Sequence, residues 1–282
     1  MKNVTLSNNV IFNNGLPSGR HWANIIIASD DNFGLNIAKN IKVNDNILYH
    51  NSDFLNDNKN FGDGVFLALG YNKNAPIDNV SAHNNIILGK NNALNVLHAK
   101  HLIFKNNTVY TGYIHFKKSV LESLESKFWK FENNTYYSRR SNAFKVLKHK
   151  NFTIDQWQNE FKLDSGSQRK HISQFDLKTK LNMTRLNGGN NFRVTLFHKQ
   201  GNDVEVDFSE YKIRKGFIYN IKNIEDDSII KSGIVEESLE VEFPMANYNK
   251  TVNNFGVYNI EFTEKTKEKK KSFFRRIFGW LF

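Results

Sequence analysis

A short phrase built around a pair of Asn residues recurs along the first half of the chain and constrains the fold more than any other feature. Each copy has an alternating apolar stretch, then the pair or a close variant of it, then a second apolar stretch. Aligned on the second residue of the pair, the copies are separated by 37, 39, 22 and 27 residues. Repeats in one frame predict a stack of similar units that bury their apolar faces against each other. The aligned residues are Asn9, Asn46, Asn85, Asn107 and Asn134.

The spacing and the Asn pair both fit a parallel β-helix. A step of about 22 residues is one coil with three short strands, and a step near 38 is a coil with a long insertion or nearly two coils. Asn tolerates the left-handed backbone that a sharp bend between two strands requires. Stacked coils would place the Asn side chains above one another, where their amides can form a ladder. We therefore predict an all-β protein that begins with a parallel β-helix. The alternative is an ordinary β-sandwich in an Asn-rich sequence.

Several segments carry a family resemblance. Residues 64–70, 79–87 and 102–110 resemble the right-handed parallel β-helix repeats of the pectate-lyase-like superfamily. The resemblance covers about residues 1–170. It implies a right-handed β-helix and a protein that binds a polysaccharide or acts on one. It also implies an extracytoplasmic or cell-surface location.

The end of this region resembles the closing segment of bacterial β-helix repeat proteins. Residues 155–158 read Asp-Gln-Trp-Gln, and residues 161–167 follow the closing pattern with Asp164 and Ser167 in frame. Lys162 stands where such segments commonly have Gly. The β-helix is therefore predicted to occupy residues 1–175.

Short alternating strands dominate the second half of the chain. Acidic residues such as Glu205 and Glu240 alternate with apolar ones, so each strand has a wet face and a buried face. We predict an antiparallel β-sandwich over residues 190–264, with residues 186–190 as the linker. Residues 211–245 resemble the small C-terminal β-domain that follows bacterial β-helices, which implies a structural module.

The last segment, residues 265–282, combines a basic run with aromatic residues. As an α-helix it would gather its apolar side chains on one face and hold two Arg away from it. We predict a short amphipathic C-terminal helix that contacts an anionic membrane surface. The alternatives are docking on its own protein or a partner, or neither. The predicted membrane contacts are Phe273, Phe274, Arg275, Arg276, Ile277, Phe278 and Trp280.

The net charge of +11 is concentrated in two places. Residues 111–170 hold twelve Lys and Arg against six Asp and Glu, and residues 265–282 hold seven against one. A basic surface in the middle would favour an anionic polysaccharide such as a uronate glycan. The alternative is a solvated surface without a partner. No nucleic-acid-binding module is recognisable, so we predict no nucleic-acid partner. The predicted substrate-binding residues are Lys117, Lys118, Arg139 and Arg140.

The enzymes that the resemblance implies would need paired carboxylates for hydrolysis, or a base with Ca²⁺ for elimination. The weak catalytic candidates are Asp30, Asp31, His50 and Asp53, each of which is also a common loop residue. The first two resemble the Asp pair of polygalacturonase-like hydrolases, but the Gly-His-Gly and Arg-x-Lys motifs of that family are absent. We predict no cofactor and no metal site. The polar loop at residues 57–63 offers oxygen ligands for Ca²⁺ but lacks the regular Asp-x-Asn-x-Asp-Gly order.

Two function classes therefore stay open. One is a polysaccharide-binding β-helix protein that could also act as a lyase or glycoside hydrolase. The other is a non-catalytic structural or adhesion module, or a fragment of a longer β-helix protein, held at a membrane by its tail. The chain has no Cys, which excludes disulfides, Cys-based zinc sites and a Cys nucleophile. It shows neither a signal-peptide pattern nor an apolar run of about 18 residues.

Overall fold

The chain forms two compact units, Met1–Leu177 and Lys178–Phe282. The computed structural model describes residues 1–12, 23–49, 67–88, 92–110, 113–147, 149–175, 180–198, 200–245 and 255–264. Most of the regular structure in these residues is strand, as the prediction of an all-β protein requires. The amphipathic helix predicted for residues 265–282 lies outside the described residues.

The first unit is built from five successive triplets of short strands, numbered in chain order. The first three triplets are β1 (Lys2–Ser7), β2 (Val10–Phe12) and β3 (Ile25–Ile27), then β4 (Lys39–Asn44), β5 (Ile47–Tyr49) and β6 (Leu67–Leu69), then β7 (Asp78–His83), β8 (Ile86–Leu88) and β9 (Asn92–Val96). The last two are β10 (Leu102–Lys105), β11 (Thr108–Tyr110) and β12 (Tyr113–Lys117), then β13 (Trp129–Glu132), β14 (Thr135–Ser138) and β15 (Phe144–Leu147).

Each triplet contributes one strand to each of three sheets. Sheet A has the order β1-β4-β7-β10-β13, sheet B begins with β2-β5-β8-β11-β14, and sheet C begins with β3-β6-β9-β12-β15. All of these neighbours pair in parallel. The helix α1 (Lys118–Leu121) and a 3₁₀ helix (Glu125–Phe128) join β12 to β13.

Alternate side chains of the parallel sheets point into one apolar core. On sheet A, a register row of buried residues runs from Val43 through Ala82 and Phe104 to Phe131. The two Phe rings in this row lie 5.5 Å apart. Period-two alternation along each strand thus buries one face and leaves the other for solvent.

The last triplet is followed by β16 (Asn151–Phe152), α2 (Ile154–Phe161) and β17 (Gln168–His171). Strand β16 pairs antiparallel with β15, whereas β17 adds a parallel strand to sheet B. A capping box between Thr153 and Gln156 starts α2, and Lys162 ends it with a left-handed φ of 56°. A left-handed residue at the end of a helix is usually Gly, which is the residue that the resembled pattern commonly has here. Lys162 adopts the same conformation, and nothing in the structure explains the substitution.

The described residues of the second unit form seven strands, which pair antiparallel. They are β18 (Lys180–Leu186), β19 (Asn191–Phe197), β20 (Val204–Asp207), β21 (Ile218–Asn223), β22 (Ile229–Ile234), β23 (Glu240–Phe243) and β24 (Phe255–Thr263). The order β18-β19-β24-β21-β22 forms one sheet, and β20 pairs with β23 in a second. Buried side chains from both sheets, including Phe192, Val206 and Phe243, share one core.

The linker predicted at residues 186–190 is wrong, because β18 and β19 pair across this segment as a hairpin. Asn187 and Gly188 both have a left-handed φ, which is what a tight turn between antiparallel strands requires. The Asn-Gly-Gly sequence therefore marks a turn inside the second unit, and the unit includes a strand upstream of the predicted boundary.

Candidate functional site

The Asn pairs form the turns between sheets A and B, and the two residues of a pair have different roles. The first residue takes a left-handed φ between 53° and 58° at Asn8, Asp45, Asn84, Asn106 and Asn133. The second residue points inward, and its side-chain amide bonds to the equivalent Asn of the next strand triplet, or to Asp164 after the last triplet. Asn85, for example, donates from Nδ2 to Asn107 Oδ1 at 2.9 Å, and the same oxygen accepts the Asn85 backbone N–H at 2.9 Å. The predicted amide ladder is confirmed from Asn9 to Asn134.

The ladder ends on a fully buried carboxylate, Asp164. Its Oδ1 accepts hydrogen bonds from Asn134 Nδ2 at 3.1 Å, Tyr136 Oη at 2.7 Å and Ser167 Oγ at 2.9 Å. Its Oδ2 accepts from Trp157 Nε1 at 2.8 Å. Burial raises the pKa of Asp164 against these four donors. Both carboxylate oxygens of Asp164 accept hydrogen bonds from within the protein, and the side chain is closed to solvent. Asp164 is therefore the terminator of the Asn ladder.

Of the four catalytic candidates, two lie in the described part of the chain. Asp31 Oδ1 accepts the Phe33 N–H at 2.8 Å, and Oδ2 accepts the Asn36 N–H at 2.5 Å. These backbone hydrogen bonds lower the pKa of Asp31. The carboxylate therefore organises its own loop, while the side chain of Asp30 is exposed beside it. His50 and Asp53 lie outside the described residues.

The four basic candidates fall at opposite ends of neighbouring strands. Lys117 is the last residue of β12, and Lys118 begins α1, where it is 3.4 Å from Glu122. Arg139 and Arg140 are exposed and precede β15. Because β15 runs parallel to β12, the two Arg precede the start of this strand pair, whereas the two Lys lie at its end. The four residues do not form one cluster.

A different surface gathers polar side chains in register: the solvent-facing side of sheet A, here called the outer face. One row contains Thr5, Lys42, Ser81, Ile103 and Lys130, and two of its members are exposed Lys. These residues are spread over more than a hundred positions of sequence, so the charge count by segment missed them. Only the topology brings them together.

The second row of the outer face lies next to the turns. Its members are one residue upstream of each left-handed residue, and the register pairs them from strand to strand. The position relative to the repeat is therefore the signal that could have found this row from sequence. The members are Ser7, Asn44, His83, Lys105 and Glu132.

The electrostatics of the second row are mild. Lys105 Nζ lies 3.1 Å from Glu132 Oε2, and both side chains are more than a third exposed. The ion pair therefore contributes little to the stability of the fold. Partial burial, and then the charge of Lys105, lower the pKa of His83. His83 is therefore neutral at pH 7, and the Lys residues supply the positive charge of this face.

Sheet B presents aromatic residues on its outer side, but they are covered. The row through Tyr49, Leu88 and Tyr137 is buried. The ring of Phe175 lies 4.4 Å from that of Tyr110 and 4.9 Å from that of Tyr137. Burial raises the pKa of Tyr49 above its ordinary range. This row is therefore packed against protein and does not form an open platform.

Within the described ranges, no three His, Asp or Glu side chains come together as a metal site, and the loop at residues 57–63 lies outside those ranges. No helix in the described part of the chain combines the length and apolarity needed to cross a membrane. No protein-family model, curated protein or solved structure matches this chain.

Proposed function

We propose that this protein binds an anionic polysaccharide, and that its first unit is a right-handed parallel β-helix of the pectate-lyase-like type. The second unit would be a β-sandwich that serves as a structural module. The observation that carries this proposal is the outer face of sheet A, where mostly polar and basic side chains, exposed or half-buried, stand in register across five parallel strands.

The geometry of a parallel sheet suits a linear polymer. Neighbouring strands are about 4.8 Å apart, so the five strands of sheet A extend about 19 Å along the stack. A polymer lying across the strands would meet a new set of side chains at every coil. Lys42, Lys105 and Lys130 would attract carboxylate or sulfate groups, while Ser81 would offer hydrogen bonds to hydroxyls. Exposed ammonium groups attract through solvent, so the affinity should fall as salt rises.

The predicted binding residues Lys117, Lys118, Arg139 and Arg140 enter this proposal as a second basic region. They lie on other sides of the same unit and would add long-range attraction. We propose binding in preference to cleavage, because Asp31 is engaged by its own loop. Lyase or hydrolase action would rest on Asp30, His50 and Asp53.

The tail extends the proposal to location. Residues 265–282 would hold the protein at an anionic membrane surface, outside the cytoplasm or at the cell surface. A non-catalytic adhesion module at a membrane is the alternative function that this tail favours.

Affinity electrophoresis tests the proposal, with polygalacturonate, alginate or neutral dextran cast in the gel at low and high salt. We expect the wild-type chain to be retarded by the acidic polymers at low salt and to migrate freely through dextran. The double variant Lys42→Gln/Lys130→Gln should lose most of this retardation. The control Lys212→Gln/Arg214→Gln removes the same charge from exposed residues of the second unit and should behave as wild type. Absence of retardation by every acidic polymer would refute the proposal, and release of unsaturated or reducing ends would identify an enzyme.

A further inference from the structure

Exposed apolar side chains concentrate in the segments that connect sheet C to sheet A. Of the seven large hydrophobic side chains exposed in the described part of Met1–Leu177, five lie in these connections. We call them the apolar ridge. Its members, with their exposed fractions, are Phe33 (86%), Leu35 (78%), Tyr71 (50%), Leu124 (73%) and Phe128 (58%). Single exposed hydrophobics are common on protein surfaces, but a cluster on one side of a molecule usually marks an interaction site.

The first two connections hold their ring-bearing residues in fixed loops. Asn72 Nδ2 donates to Asn32 Oδ1 at 3.2 Å, which ties the second loop to the first. Gly34 has a left-handed φ of 71°, and a Cβ at this position would lie only 2.8 Å from the Asn74 carbonyl oxygen. The two loops are therefore packed closely against each other. Phe33 and Tyr71 are exposed on these packed loops.

The ridge continues to the fourth connection. Phe128 packs its ring 5.2 Å from the His101 ring, and His101 Nδ1 is 2.6 Å from Asp78 Oδ1. Connections that follow β3, β6, β9 and β12 are spaced by one strand each, so the ridge extends about 14 Å along the stack. A linear ligand lying along the stack would touch apolar groups at both ends of this span.

The chemistry around the rings selects the ligand. Asp30, Asn36, Asn72 and Lys73 flank Phe33 and Tyr71 in the same loops, so apolar faces alternate with hydrogen-bonding groups. A sugar ring has the complementary character, with an apolar C–H face and a rim of hydroxyls.

We propose that the apolar ridge stacks against the sugar rings of a polysaccharide chain that runs along the coils. This inference rests on the proposed function and adds to it a contact that does not depend on charge. The ridge would act beside the outer face of sheet A, which each connection enters directly through β4, β7, β10 or β13. Stacking contributes contact area and desolvation, so its share of the affinity should survive high salt.

The test compares two apolar double variants of the full chain. Phe33→Ala/Tyr71→Ala removes two ridge rings, whereas the control Ile229→Ala/Ile234→Ala removes two exposed apolar side chains from the second unit. Isothermal titration with polygalacturonate oligomers, at low and high salt, measures the affinity. We expect the ridge variant to lose about 10-fold at both salt concentrations, and the control to lose nothing. Circular dichroism and thermal unfolding would verify that both variants fold.

Each other outcome has a definite meaning. Wild-type-like affinity of the ridge variant, in a protein that does bind the polymer, would overturn the ridge and leave the proposed function intact. Absence of binding by the wild-type chain to any acidic polymer would overturn both. Binding to vesicles of phosphatidylcholine with phosphatidylglycerol that is lost in the ridge variant, with polymer binding unchanged, would assign the ridge to a membrane and overturn this inference.

Discussion

Two positions in every turn between sheets A and B, only two residues apart, follow opposite rules. The inner position is the second residue of each pair, and it is Asn in all five copies because its amide bonds to the equivalent residue of a neighbouring strand triplet. The outer position, just before the pair, varies in size and charge, since its side chains are exposed or half-buried on the outer face of sheet A. The comparison teaches that the invariant part of this repeat maintains the stack, and that the recognition we propose involves the part that varies. The outer residues are Ser7, Asn44, His83, Lys105 and Glu132.

The largest expected effect on stability comes from a substitution at the inner position. Asn107→Ala would remove a donor to the Ala82 carbonyl and to Asn134, and the acceptor for two Asn85 groups, all in the interior. We expect the free energy of unfolding to fall by about 3 kcal/mol, because several buried polar groups lose their partners at once. Urea denaturation measures this. The matched variant Lys105→Ala, two residues upstream, should change stability by less than about 0.5 kcal/mol. Equal effects at the two positions would contradict the comparison.

The terminator of the ladder has a pH signature. Burial raises the pKa of Asp164 above its ordinary 3.8, so the folded state binds its proton more tightly than the unfolded state. The stability from this group is fully present below pH 3.8 and is lost as pH rises through the folded pKa. The variant Asp164→Asn lacks this proton and cannot accept from all four donors. Thermal unfolding across the acid range should therefore show that the stability of wild type relative to Asp164→Asn increases as pH falls. A difference in stability that does not change with pH would refute this explanation.

A smaller effect on stability is expected at the first residue of a pair, and it distinguishes this residue from the second. Asn106 is exposed and has a left-handed φ of 54°, a conformation that Asn and Gly tolerate better than Ala. Asn106→Ala should cost about 1 kcal/mol in urea denaturation, whereas Asn106→Gly should be nearly neutral. If Gly proved as costly as Ala, side-chain contacts rather than backbone conformation would explain the first Asn.

The smallest effect lies on the outer face. Glu132→Gln would break the pair with Lys105, in which both side chains are more than a third exposed. We expect a change in stability below about 0.5 kcal/mol, together with tighter binding of an acidic polysaccharide, because a negative charge leaves the basic face. Weaker binding after this substitution would argue against an anionic ligand on sheet A.

The inner position could be predicted from sequence, whereas the outer face could not. Asn85 and Asn107 repeat in one frame with the same neighbours, so periodicity alone indicated their ladder. Lys42 and Lys130 share a surface only because two intervening strands complete the sheet between them. The role of Asp31 could not be predicted either, because it depends on which backbone N–H groups the loop brings to the carboxylate. Strand β18 was not predicted, because an edge strand with half-buried residues has a weak apolar alternation.

The exposed ridge illustrates the same limit. Phe33 and Tyr71 are apolar residues next to short strands, and in sequence such residues indicate a core. Their exposure follows from the turn that Asp31 fixes and from the stacking of Gly34 against the next loop. At these positions local backbone geometry, and not residue type, decides the exposure.

Lysine footprinting tests the central claim most directly. The protein would be acetylated with and without an excess of polygalacturonate, and each Lys would be quantified by mass spectrometry. The account predicts that Lys42 and Lys130 lose reactivity in the presence of the polymer while Lys212, exposed on the second unit, keeps it. Unchanged reactivity of Lys42 and Lys130, with protection confined to Lys117 and Lys118, would contradict a binding surface on sheet A.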